Sequence, residues 1–193
     1  MKRTKIWEVG GFLAGGVLIL FGIVAIVMGV NGYTTVRDSI KDENIFFSTA
    51  EDEDPATDEF ASEWYGEQVK TGDQARAFAK IMRTHQLERT GDLTYAEMGR
   101  FQSAADPSDP KGTSDEEAAA KDEEGQPIAN NARNSWVTAV AITSALNTSY
   151  MAEQLSIFGL VVGVALLLTG IGLVILALAV FGRNGSRVEA VAA

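Results

Sequence analysis

The 193 residues contain no cysteine and one histidine, His85. Without cysteine there is no disulfide framework, no thiolate metal ligand and no thiol nucleophile. A lone histidine can act as a general base near neutral pH. That role needs partners, and no serine and carboxylate recur beside His85 at a spacing that assembles a triad. Phe78, Ile81, Met82 and His85 instead share one helical face by i, i+3 and i+4 spacing, which predicts a packed, hydrogen-bonded core histidine. The other concentration of reactive groups is Glu51-Asp52-Glu53-Asp54-Pro55, followed by Asp58 and Glu59. Hard carboxylate oxygens suit calcium, but the D-x-D-x-D-G spacing that wraps one ion is missing. Pro55 and adjacent like charges oppose regular structure, so a solvated acidic loop is the expectation. No catalytic residue, cofactor or metal site is therefore expected, and the chain reads as non-enzymatic.

The elements around these residues are set by the apolar distribution. Residues 9–30 and 155–182 contain no ionisable side chain. At 1.5 Å per residue, 22 apolar residues match a hydrocarbon core of roughly 30 Å, so 9–30 is expected as transmembrane helix 1 and 155–182 as transmembrane helix 2. Met1-Lys2-Arg3-Thr4-Lys5 also resembles the basic n-region of a signal peptide, but signal h-regions run about 7–15 residues, and the longer stretch favours an uncleaved signal anchor. Lys2, Arg3, Lys5, Arg183 and Arg187 flank the outer ends, whereas only Arg37 and Lys41 lie close to the spans on the loop side. By the positive-inside rule residues 1–8 and 183–193 are cytoplasmic and 31–154 extracytoplasmic. That segment carries 11 basic and 24 acidic residues, a net charge of −13. Such an acidic face excludes nucleic acid as the expected partner and gives no polybasic patch for anionic lipid.

Small residues recur inside the spans with a period of seven: Gly15, Gly22 and Gly29 in the first, Gly163, Gly170 and Ala177 in the second. Gly11 to Gly15 and Gly159 to Gly163 add a G-x-x-x-G step to each. Lipid supplies little hydrophobic drive between helices, so close backbone approach along such lanes is what lets van der Waals packing hold them together. These six positions are the candidate helix-packing residues, within one chain or between chains. The partners expected are membrane lipid and either further copies of the chain or a membrane protein complex.

Val36 and Ile40, one turn apart, extend the first helix into water. Ile45-Phe46-Phe47 has strand character but is too short for a sheet. A helix is expected from Gly72 to Gly91, capped by Thr71 or Asp73, with Arg76, Lys80 and Arg83 opposite its apolar face. Thr94-Tyr95-Ala96-Glu97 fits a capping box opening a short second helix. With Phe46, Phe47, Trp64 and Tyr65 these helices form the candidate core, small enough to lean on the extended transmembrane helices. Residues 103–127 hold Pro107, Pro110 and Pro127 among acidic and small residues, and read as a flexible linker. From about Asn130, Trp136, Ala139, Val140, Ile142, Leu146 and Tyr150 recur at helical spacing, so one unbroken helix is expected into the second span. Ser144, Asn147, Thr148 and Ser149 there suit either an interface between helices or a solvated surface.

Leu87-Glu88-Arg89-Thr90-Gly91, Thr94-Tyr95-Ala96-Glu97 and Ser144-Ala145-Leu146-Asn147-Thr148-Ser149 resemble a family of small actinobacterial two-span membrane proteins. Members of that family often carry the label of an aromatic ring-opening dioxygenase. Such an iron site needs at least two histidines and a carboxylate, and His85 stands alone, so the label is rejected. The resemblance implies a two-span topology and a bacterial cytoplasmic membrane, and brings no activity onto named residues. In layout the chain is similar to two-span accessory subunits of the actinobacterial respiratory supercomplex. The fold class expected is mainly α, with two transmembrane helices, a largely helical acidic insertion and a second span extended as a long helix. The function expected is a scaffold or accessory subunit of a membrane complex, with an extracytoplasmic sensor or binding module for a ligand or cation as the alternative.

Overall fold

The computed structural model describes the backbone of residues 2–189 and the side chains of residues 9–179. Among these the chain is mainly helical and contains no strand. Its α-helices are α1 (Lys2–Asp42), α2 (Pro55–Ala61), α3 (Gly72–Arg89) and α4 (Asn131–Glu189). Segments Val9–Asp42 and Asn131–Ala179 are each long and apolar enough to cross a membrane. The chain divides into two compact units, one made of Met1–Thr35 with Ala152–Ala193, the other of Val36–Met151.

In the first unit α1 and α4 run side by side. In the second, the core gathers Ile40, Phe47, Ala56, Ala61, Val69, Ala75, Ala79, Ile81 and Leu146, all buried. Phe47 stacks on Trp64 at 5.7 Å between ring centroids and meets Phe78 edge-on at 5.9 Å. The chain before α2 lies antiparallel to the chain before α3: the Phe47 amide donates to the Glu67 carbonyl at 3.0 Å and the Val69 amide to that of Ile45 at 2.8 Å. Side chains alternate along an extended backbone, so Phe47 enters the core while Phe46, 54% exposed, faces out.

Helix α3 begins where the Thr71 hydroxyl accepts the Gln74 amide at 3.2 Å and ends before Gly91, which sits at φ +60° where a side chain would be strained. Its cationic side is not simply solvated. The Arg76 guanidinium lies 4.7 Å from the Tyr150 ring centre, the Lys80 ammonium 5.2 Å from that of Phe60 and the Arg83 guanidinium 5.6 Å from that of Trp136, so each charged head faces an aromatic ring. The expected second helix at Thr94 is shorter than a helix: one 3-10 turn, Tyr95–Glu97, in which the Glu97 carboxylate accepts the Thr94 amide at 2.8 Å and its hydroxyl at 2.7 Å.

Residues 103–127, expected as a flexible linker, have a paired backbone. Antiparallel bridges join Phe101 to both Thr113 and Ala129, Ser103 to Ala119, and Lys121 to Pro127. Asp106, Asp109, Asp115 and Asp122 each accept the amide two residues ahead, closing turns that Pro and acidic residues favour. Asn130 fastens this region to α4. Its buried Nδ2 donates to the carbonyls of Gly99 and Pro110 at 3.0 Å each, while its Oδ1 accepts the Ala132 amide at 3.0 Å as the helix cap. Gly112, at φ +58°, packs against Asn130 and the Phe101 carbonyl with no room for a Cβ.

Replacing Asn130 by Ala removes the cap and leaves two carbonyls short of a donor, at a cost of roughly 2–3 kcal/mol. Limited proteolysis of the full chain in detergent is expected to become faster within 99–130. Cleavage at the wild-type rate would contradict the role given to Asn130.

Candidate functional site

Along the paired parts of α1 and α4, among residues 9–35 and 152–179, the buried positions are Gly15, Gly22, Gly29, Glu153, Gly163, Gly170 and Ala177. The structure brings all six small residues singled out by spacing onto one seam within a single chain. The contacts are reciprocal. A Cβ built on Gly22 would lie 2.8 Å from the Gly163 carbonyl oxygen, and one on Gly163 2.9 Å from that of Gly22. Gly15 and Gly170 stand in the same relation at 2.8 and 2.7 Å. Each seven-residue step down α1 therefore meets a seven-residue step back along α4, the antiparallel version of a small-residue seam. In glycine a hydrogen occupies the Cβ direction, so each Cα–H faces a carbonyl in a weak C–H···O contact.

Two further contacts extend the seam. A Cβ on Gly29 would lie 2.9 Å from the Ser156 carbonyl, and one on Gly32 2.5 Å from the Ser156 hydroxyl. At the other end, Ala177 packs against Gly11. Ser156 was not recognisable in sequence as part of the lane because it is a serine, although it lies seven residues before Gly163. Gly10, Gly16 and Gly172 face open space. Outside the seam the surface is apolar, with Leu13, Leu20, Phe21, Met28, Val161 and Leu168 all exposed.

The second unit holds the polar groups that could do chemistry. His85 is not a core residue: its side chain is 41% exposed, and Nε2 lies 2.9 Å from Asp54 Oδ1. Asp54 is tied down on several sides. It caps α2 by accepting the Ala56 amide at 3.1 Å and takes the Thr57 hydroxyl at 2.6 Å. Burial pushes its carboxyl upward, but the bonds from Thr57, His85 and Ala56, with the charge of His85, outweigh this and hold it at about 2. The acidic run is thus partly structural rather than merely solvated, and Asp52 likewise accepts the Thr49 amide at 2.7 Å. Among the described residues no group of three or more His, Asp or Glu side chains converges as a metal site would require. The Asp54–His85 pair joins residues 31 apart, which no local spacing rule could reveal.

Beside His85 a cleft of about 310 Å³ opens between α3 and α4. Met82, Ala139 and Ile142 form its apolar part, whereas His85, Arg89 and the Ser135 and Thr138 hydroxyls supply polar groups. The Gln86 amide, from a buried side chain, donates to Ser135 Oγ at 2.9 Å and fixes the spacing of the two walls. Comparison with known protein families, curated proteins and solved structures finds no match to this chain.

Two outcomes follow from this geometry. Replacing Gly22 or Gly163 by Ile forces the backbones apart and is expected to lower stability by about 1–3 kcal/mol or more, whereas Gly16→Ile is expected to be neutral. The measurement is an SDS titration of the purified chain in mild detergent, and equal behaviour of all three variants would contradict the seam.

Asp54 titrates near 2 in the fold and at the ordinary 3.8 when unfolded. A lowered carboxyl stabilises above its unfolded value, and that contribution is lost as pH falls from about 4 toward 2. Asp54→Asn is expected to cost about 1 kcal/mol at neutral pH, a difference from wild type that shrinks across that window. A pH-independent difference would contradict the assignment.

Proposed function

We propose that the chain is a non-enzymatic membrane protein whose paired helices anchor an acidic domain and pack as a scaffold or accessory subunit within a larger membrane assembly. The observation that carries this reading is the glycine seam. It occupies the small-residue faces of both apolar helices inside one chain and leaves large apolar side chains around the outside. A surface of that kind suits lipid or the apolar flank of another membrane protein, and soluble monomers rarely expose one so continuous. The excess of basic residues beside the outer ends of the spans supports cytoplasmic termini and an extracytoplasmic Val36–Met151 unit. A respiratory supercomplex is one candidate assembly, through the layout the sequence resembles.

The reading is tested by affinity purification from native membranes followed by mass spectrometry. Integral membrane proteins, or further copies of the chain, are expected in fixed stoichiometry; a chain recovered alone and monomeric would contradict it. For orientation, a cysteine introduced by Ser114→Cys is expected to react with a membrane-impermeant thiol reagent on spheroplasts, and one introduced by Ser186→Cys is not. The reverse pattern would overturn the topology.

A further inference from the structure

The anchoring role leaves the cleft between α3 and α4 without a task, and its chemistry is more specific than a scaffold needs. We infer that this cleft binds a small organic monoanion, a carboxylate carrying a short apolar tail. Arg89, in the last turn of α3, has no hydrogen bond or ion pair to any described residue. Arg76, Lys80 and Arg83 of the same helix lie over aromatic rings, so Arg89 is the cation of α3 left available at the cleft.

The neighbouring groups fit an anion rather than a cation. No carboxylate lines the cleft, and Asp54, bonded to His85, is also engaged by Thr57 and the Ala56 amide. With Nε2 held on Asp54, His85 borders the cleft without serving as a second donor, and Thr138 has a hydroxyl with no partner among the described residues. A planar guanidinium receives a carboxylate through two parallel N–H donors, which fixes the ligand's head. Met82 and Ile142 then offer apolar surface to the tail. A volume of about 310 Å³ stands at the small end of ligand sites and suits a short organic acid.

Because the chain has a single histidine, the His85 ring signals in an NMR spectrum report on this cleft without assignment ambiguity. The experiment titrates butanoate, butylamine and butanol separately into the full chain in nanodiscs. Saturable movement of the His85 signals with butanoate alone is expected, weakened about tenfold or more in Arg89→Gln by loss of charged hydrogen bonds. Arg89→Lys, which keeps the charge without the fork, is expected to fall between. Unchanged circular dichroism and thermal unfolding show that each variant is folded. Absence of saturable movement with butanoate, equal movement with butylamine or butanol, or unchanged affinity in folded Arg89→Gln would each overturn the inference.

Discussion

The interaction on which the first unit depends is the direct approach of two helix backbones at glycine. In water, a helix pair can be held by burying large side chains, but in lipid, the setting proposed for this pair, the tails compete on equal terms with Leu and Ile, and that drive is absent. What remains is close packing, and at Gly15, Gly22, Gly163 and Gly170 it is so close that a Cβ would collide with the opposite main chain. The seven-residue period keeps the same narrow face inward over four turns of seam. It also sends every large side chain outward, so the seam and the apolar exterior are one arrangement seen from two sides. Antiparallel pairing places Thr35 and Ala152 at the same end of the pair, where the intervening segment leaves and returns.

The Val36–Met151 unit solves a different problem. Its own helices are short or alanine-rich, and a core of this size is marginal by surface-to-volume scaling. Ile40 from α1 and Leu146 from α4 enter that core, so the long helices supply apolar surface the insertion lacks. Aromatic rings do double duty, with Phe47, Trp64 and Phe78 packed inside and Phe60, Trp136 and Tyr150 each carrying a cation of α3. Asp54 and Asn130 act as clamps, each joining a helix cap to a distant segment through one side chain.

The sequence made some of this legible and concealed the rest for identifiable reasons. Gly15, Gly22, Gly29, Gly163, Gly170 and Ala177 stood out because helical periodicity is local and glycine in an apolar run is conspicuous. Whether the lanes met within one chain was not readable, since spacing fixes a face but not its partner. The Thr71 cap and the Gly91 stop were legible because capping chemistry is local as well. The bridges of 99–130 were not, because their pairing rests on main-chain bonds and Asp-closed turns and leaves no alternation of apolar residues. His85 reads from spacing as a core residue for a related reason: its helical face is apolar, but Asp54, brought in from 31 residues away, holds the ring at the surface. The cleft is tertiary throughout, and neither Arg89 nor Thr138 carries a sequence signal of its own.

The central claim is that the two apolar helices pair antiparallel within one chain. Spin labels on exposed Leu13 and Leu176, one on each helix, test it most directly when the doubly labelled chain in nanodiscs is diluted with excess unlabelled chain. A short inter-label distance, consistent with helix axes about 8–10 Å apart, is expected to persist unchanged on dilution. Loss of that distance on dilution would show pairing between chains, and its absence throughout would show that the seam does not form.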